Sequence, residues 1–184
     1  MISKPVLMPS LRGGATASGP PIPAGGGGRR FKVEHRIGVQ APAEVVWEII
    51  ADLASWPAWN PLYTSAEGEI RIGATLTLTV AMPGEPAQAI QPQVLDWVPS
   101  EQLLWRTSAH HGLVKSVRYV EIEQLSETGS VLSNGELFGG MLGPMLARRR
   151  RRALREGFTL MGEALAARAE AIWRERAPAP TSRP

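Results

Sequence analysis

Glu136 is the acid in this chain best placed to do chemistry. It stands two residues before Phe138 in a segment with strand alternation, so the two side chains share one face. Turned inward, Glu136 has its pKa raised by burial and can give or take a proton. Turned outward, it is a surface charge or a partner for an arginine. The histidines are few: His35, His110 and His111. Neighbouring histidines on a strand point to opposite faces, so His110 and His111 make no chelating pair and no metal site is predicted. The chain has no cysteine, which excludes thiolate chemistry, disulfides and cysteine-built zinc sites. No serine sits in a nucleophile elbow and no Ser/His/Asp set can be assigned. Gly25 to Gly28 lead into Arg29 and Arg30 rather than a strand–loop–helix unit, so no nucleotide site and no cofactor are predicted.

Arg148 to Arg152 form an unbroken run, with Arg155 beyond. On a helix such a run points in several directions, and most of it is solvated. Arg150 and Arg151 fall toward the apolar stripe that begins at Leu154. Either can meet a ligand carboxylate or a buried glutamate. Residues 144–176 carry nine basic and four acidic residues, +5, whereas 31–143 carry −7. The basic patch can therefore also meet a membrane surface, RNA or the acidic face of a second copy.

Six tryptophans are the other chemical resource: Trp47, Trp56, Trp59, Trp97, Trp105 and Trp173. Buried tryptophan brings a large apolar area to a core, and that suffices for Trp47. Trp59 lies three residues after Trp56, and Trp105 shares a strand face with Leu103. Both are candidates to line a pocket or simply to fill it. Gly157 sits near the stripe of Leu154, Phe158 and Met161, at a cost of up to ~1 kcal/mol against alanine. Close packing or room for a ligand would repay that cost.

The elements that position these residues read as follows. Phe31, Val33, Ile37 and Val39 alternate with charged residues and predict a first strand. Pro42 suits a first helical residue, and Val45, Val46, Ile49 and Ile50 give that helix an apolar face. Asp52 introduces a second short helix carrying Trp56 and Trp59, which Asn60-Pro61 ends. Strands are predicted over 75–80, 88–98, 102–109, 113–124 and 130–138, with turns at Pro83-Gly84, Pro99-Ser100-Glu101 and Glu127-Thr128-Gly129. Leu154, Phe158, Met161, Leu165 and Ile172, with Ala169 between, form one helical stripe. The helix runs from Gly143-Pro144 to about 175. One long amphipathic helix and about seven antiparallel strands predict an α+β domain in which the helix covers a curved sheet.

That order of elements resembles the START-like, or SRPBCC, superfamily with its helix-grip fold. So do Ala41-Pro42-Ala43-Glu44-Val45-Val46-Trp47, Asp52-Leu53 followed by Trp56-Pro57-Ala58-Trp59-Asn60-Pro61, and Glu67-Gly68 before Ile72-Gly73. Leu103-Leu104-Trp105, Glu136-Leu137-Phe138-Gly139 and the closing Gly157-Phe158, Met161 and Ala164-Leu165 extend the resemblance over about 31–175. The resemblance implies a cavity between sheet and C-terminal helix that binds a small apolar ligand such as a lipid or polyketide. The alternative it implies is a polyketide cyclase/dehydrase-type enzyme working in the same cavity through Glu136, His35 or an arginine. The ligand-contacting set expected on this basis is Trp59, Trp105, Glu136, Phe138, Arg151, Phe158 and Met161.

Composition sets the limits. Hydrophobic residues at 43% and charged residues at 20% suit one globular domain. The net charge of +3 lies in the ends: residues 1–30 carry +4 and 177–184 carry +1, leaving −2 for 31–176. No nucleic-acid partner is therefore predicted for the fold. Residues 1–30 and 177–184, rich in Gly, Pro, Ser and Ala, are predicted to be disordered. No apolar run is long enough for a transmembrane helix. The absence of cysteine fits a cytoplasmic protein, and a homodimer is compatible with the charge asymmetry.

Overall fold

The computed structural model describes residues 30–176, so the expectations for 1–29 and 177–184 lie outside the described residues. Strand β1 (Phe31–Val39) is followed by helix α1 (Ala43–Ala51), a 3-10 turn (Leu53–Ser55) and the short helix α2 (Trp56–Trp59). Then come β2 (Tyr63–Glu67), β3 (Thr77–Val80), β4 (Gln88–Ile90), β5 (Gln93–Val98), β6 (Gln102–Ala109), β7 (Val114–Ser126) and β8 (Gly129–Gly139). Helices α3 (Gly143–Arg149) and α4 (Arg151–Arg176) close the fold.

The expected antiparallel sheet is present with five strands in the order β1-β8-β7-β6-β5. Strands β2, β3 and β4 form a second, three-stranded sheet, so the strands number eight in two sheets. The segment 88–98 divides into β4 and β5 at Gln91-Pro92, because proline has no N–H to continue the ladder. The bridge Thr75 to Gln93 links the two sheets, with Gly73 and Ala74 hydrogen-bonded to Val94 and Leu76 to Pro92 on either side of it.

The apolar stripe of α4 lies against the larger sheet. Leu154, Phe158, Met161, Leu165 and Ala169 are all essentially inaccessible to solvent. Burial of each large side chain contributes about 1.5–3 kcal/mol. The terminal helix is not continuous. Arg150 adopts φ −93° and ψ 6°, outside the α-helical region, and separates α3 from α4. Pro42 stands at the N-cap of α1 in an extended conformation, one residue ahead of the expected position.

Two close approaches explain glycines in α4. A Cβ on Gly157 would lie 3.1 Å from both Leu62 Cδ1 and Met82 Sδ, and 3.3 Å from Pro83 Cδ. Gly157 therefore serves close packing against the β3–β4 turn. A Cβ on Gly162 would lie 2.5 Å from His35 Nδ1.

Candidate functional site

Strand register builds the site. Pairing places Trp105 opposite Arg118, Arg118 opposite Glu136, and Glu136 opposite Val33, in one row across β6, β7, β8 and β1. The next row toward the end of the sheet is Thr107, Ser116, Phe138 and Phe31. Trp105, Arg118 and Glu136, with Ser116 and Phe138, form the floor of a cavity of about 550 Å³. Val80 and Ile90 from the smaller sheet and Met82 from its β3–β4 turn make the opposite wall, and Arg150 and Leu154 reach in from the α3–α4 junction.

Arg118 is the centre of this floor, 3% exposed. One terminal nitrogen donates to the carbonyls of Tyr119 at 2.9 Å and Gly135 at 2.8 Å. The other donates to Asn134 Oδ1 at 3.0 Å and to Met161 Sδ at 3.3 Å. The guanidinium lies 4.1 Å from the Phe158 ring centroid and 5.7 Å from that of Trp105. Asn134 is itself fixed, its Nδ2 donating to the Phe158 carbonyl at 3.1 Å. The cation is thus held by neutral acceptors and ring faces, with no carboxylate within 4.0 Å among the described residues. Its Nε is buried without a partner. Such a fixed, water-poor cation attracts negative charge on a ligand more strongly than one in solvent.

Glu136 faces the same space. Burial pushes its carboxyl above the usual carboxylate range, while the Ser116 hydroxyl and the charges of Arg118 and Arg150 pull the other way. The Tyr63 phenol, which also lines the cavity, is held in its neutral form by burial. Asn60 sets Tyr63 in place: its Oδ1 accepts from the backbone N–H groups of Leu62 at 3.0 Å and Tyr63 at 3.3 Å. Tyr63 and Trp105 then pack on Trp56, whose Nε1 donates to the Ile50 carbonyl at 3.1 Å.

At the rim, Arg150 makes a two-pronged ion pair with Glu85. Its Nε donates to Oε1 at 2.9 Å, and a terminal nitrogen reaches Oε2. The pair ties the β3–β4 turn to the break between α3 and α4.

The expected residues separate into three groups. Trp105, Glu136 and Phe138 line the cavity. Phe158 and Met161 are fully buried behind Arg118 and contact its guanidinium rather than the open space. Trp59 and Arg151 lie apart from the cavity. Trp59 is half-buried and packs edge-on against Trp56 at 6.4 Å. Arg151 is exposed, and Arg150 takes the rim position in its place. Helical phase does not separate the two, since positions three and four before Leu154 share its face. Arg150, at the break between α3 and α4, is drawn to the rim by its pairing with Glu85. His35 also lies outside the cavity, facing Gly162 of α4, and burial lowers its pKa.

Sequence reasoning missed Arg118, Tyr63, Ser116 and Glu85. A signal for Arg118 existed. Counting back by twos from Val120 and Ile122 puts Arg118 and Ser116 on the face that carries those apolar residues. A charge on such a face is buried with partners or serves a site.

The family described as polyketide cyclase / dehydrase and lipid transport matches residues 30–170. The chain belongs to that family. Among solved structures, the Zhui aromatase/cyclase from Streptomyces sp. R1128 aligns with a TM-score of 0.64 at 24% identity, over 81% of this chain and 98% of that one. Norcoclaurine synthase from Thalictrum flavum aligns with a TM-score of 0.60 at 14% identity, over 78% and 96%. A START superfamily protein from Mycobacterium smegmatis aligns with a TM-score of 0.56 at 20% identity, over 79% and 99%. These likenesses establish the START-like helix-grip fold. No curated protein sequence matches the chain. No helix among the described residues is long and apolar enough to cross a membrane.

Proposed function

We propose that this member of the polyketide cyclase/dehydrase and lipid transport family binds a small, largely apolar molecule in the 550 Å³ cavity. One polar oxygen of the ligand meets Glu136 within the field of the Arg118 cation. The observation that carries the reading is the Trp105–Arg118–Glu136 row on the cavity floor. Apolar walls supply affinity, and a few convergent polar groups fix orientation. Arg118 is held before any ligand arrives, so little ordering cost falls on binding. A soluble, cysteine-free carrier of this kind fits a cytoplasmic location.

A second reading, an enzyme of the cyclase/dehydrase type, is favoured by one specific observation: the raised Glu136 carboxyl beside a fixed cation. In its ionised form Glu136 is a stronger base than an exposed carboxylate. It would take a proton from the carbon next to a ligand carbonyl. The charge of Arg118 would stabilise the enolate that results. Glu136 would then return the proton to a departing hydroxyl, which leaves as water, and the carboxylate is regenerated. Proton and charge balance without a cofactor.

Native mass spectrometry of gently purified protein tests the binding reading. The expected result is an extra mass that Arg118→Gln removes while the chain stays folded. A chain that takes up no apolar carbonyl compound, and carries none, overturns it. For the enzyme reading, Glu136→Gln abolishes turnover of a substrate that still binds. Turnover retained in that variant overturns the role given to Glu136.

A further inference from the structure

Six large apolar side chains stand exposed among the described residues, and three of them gather at one end of the molecule. Met141 is 76% exposed, Met145 45% and Leu113 39%. The other three, Ile72, Leu125 and Leu160, lie on separate elements. The cluster is held together by the backbone. The Leu142 N–H donates to the Leu113 carbonyl at 3.0 Å, which pins the start of α3 to the turn between β6 and β7. Met145 follows Met141 by four residues, in the first turn of α3.

Charge surrounds these tips. From Leu137 to Arg155 the chain holds six arginines and no acid. Among the described residues, only Arg150 of the six is in an ion pair, and Arg148, Arg149, Arg151, Arg152 and Arg155 are all exposed. Around the corner, on the outer face of the sheet, Arg30, Arg106 and Lys115 line a shallow groove that reaches Gly139 and Gly140. The cavity opens beside this face. Ala109 and Val114, which flank the β6–β7 turn, are among its lining residues, as is Arg150.

We propose that α3 and the β6–β7 turn dock on an anionic phospholipid bilayer, with Met141, Met145 and Leu113 entering the headgroup–acyl boundary. The arginines bind the lipid headgroups. A protein partner requires a fitted surface of roughly 1,000 Å² or more. Here the apolar groups are three flexible tips projecting from two turns and a short helix. A bilayer accepts such tips without shape complementarity, and each nearby cation adds about 1 kcal/mol on an anionic surface. Docking in this orientation puts the cavity mouth at the membrane, so an apolar ligand passes between bilayer and cavity without crossing water. That last consequence rests on the cavity reading; the docking itself does not.

The test uses the full chain and vesicles of phosphatidylcholine with or without about 30% phosphatidylserine. Because the chain has no cysteine, Met145→Cys accepts a single environment-sensitive dye. Expected results are co-sedimentation with the anionic vesicles only, a blue shift of the dye on binding, and release at about 0.5 M salt. Arg149→Gln with Arg152→Gln weakens partition about thirtyfold, from ~1 kcal/mol for each lost cation. Residues 1–30 carry further positive charge, which is common to all variants compared. Absence of binding to anionic vesicles overturns the proposal. So does binding with the dye still in water, or binding that the arginine variant leaves unchanged. A dye already buried in lipid-free protein that sediments as a dimer assigns the face to a second copy and also overturns it. Vesicle binding is read without ligand, so its failure leaves the cavity reading standing, and the reverse holds too.

Discussion

Replacing Glu136 by glutamine should make the protein's stability less sensitive to pH, and the sign follows from the site. Burial is the largest influence on this carboxyl and raises its pKa above the ordinary 4.5. The Ser116 hydroxyl and the cations of Arg118 and Arg150 recover part of the cost of ionisation. A carboxyl whose folded pKa is raised favours the folded state fully below its unfolded value. That contribution is lost as pH rises through the folded value. Glutamine resembles the protonated acid and does not titrate. Wild type and Glu136→Gln should therefore have similar stability near pH 4. Above the folded pKa the wild type falls behind by about 1.4 kcal/mol for each unit separating its folded and unfolded pKa values. Urea unfolding of both proteins between pH 4 and 8 measures the gap. A wild type that gains on the variant as pH rises would mean that Arg118 and Arg150 outweigh burial. The acid–base reading of Glu136 would then lose its basis.

Phe158→Ala removes the ring beneath Arg118 and leaves a cavity in the core, so a loss of about 3–5 kcal/mol is expected in denaturant unfolding. Gly162→Ala places a methyl 2.5 Å from His35 Nδ1 and should cost about 1–3 kcal/mol. Adding His35→Ala should recover most of that loss, and failure to recover it rules out this contact as the cause. Glu85→Gln loosens the ion pair at the rim and should raise the rate of dye entry into the cavity while changing stability by less than about 1 kcal/mol. Stopped-flow fluorescence with an apolar dye checks it.

The parts of the fold legible in the sequence are those where one periodicity dominates. The stripe Leu154, Phe158, Met161, Leu165 and Ile172, with Ala169 between, predicts a buried face, and all are buried except Ile172 near the helix end, which is half-buried. The alternation through 31–39 and 75–80 predicts strands for the same reason, and β1 and β3 lie there. Two breaks were not legible. A run of five arginines has no apolar phase, so nothing in it shows that the helix is interrupted at Arg150 or that Arg150 rather than Arg151 turns inward. The division of 88–98 was signalled by Pro92, but the apolar residues on either side mask it. Arg118 was hidden differently. Its strand has apolar residues on both faces, Val117 and Tyr119 as well as Val120 and Ile122. The partners that make its burial tolerable come from β8 and α4, distant in sequence. Tyr63 depends on the turn made by Asn60, a local feature that alternation does not report.

The cavity draws its charged side and its enclosing side from different parts of the chain. Arg118, Glu136 and Trp105 stand on long, fully laddered strands, whereas Val80, Met82, Ile90 and Glu85 belong to a small three-stranded unit joined to the larger sheet through 73–76 and 92–94. Substitutions in that unit can reshape what fits inside without disturbing the charged row beneath it. Variation in β3 and β4 is thus a route by which the shape of the cavity can change while the charged row is kept.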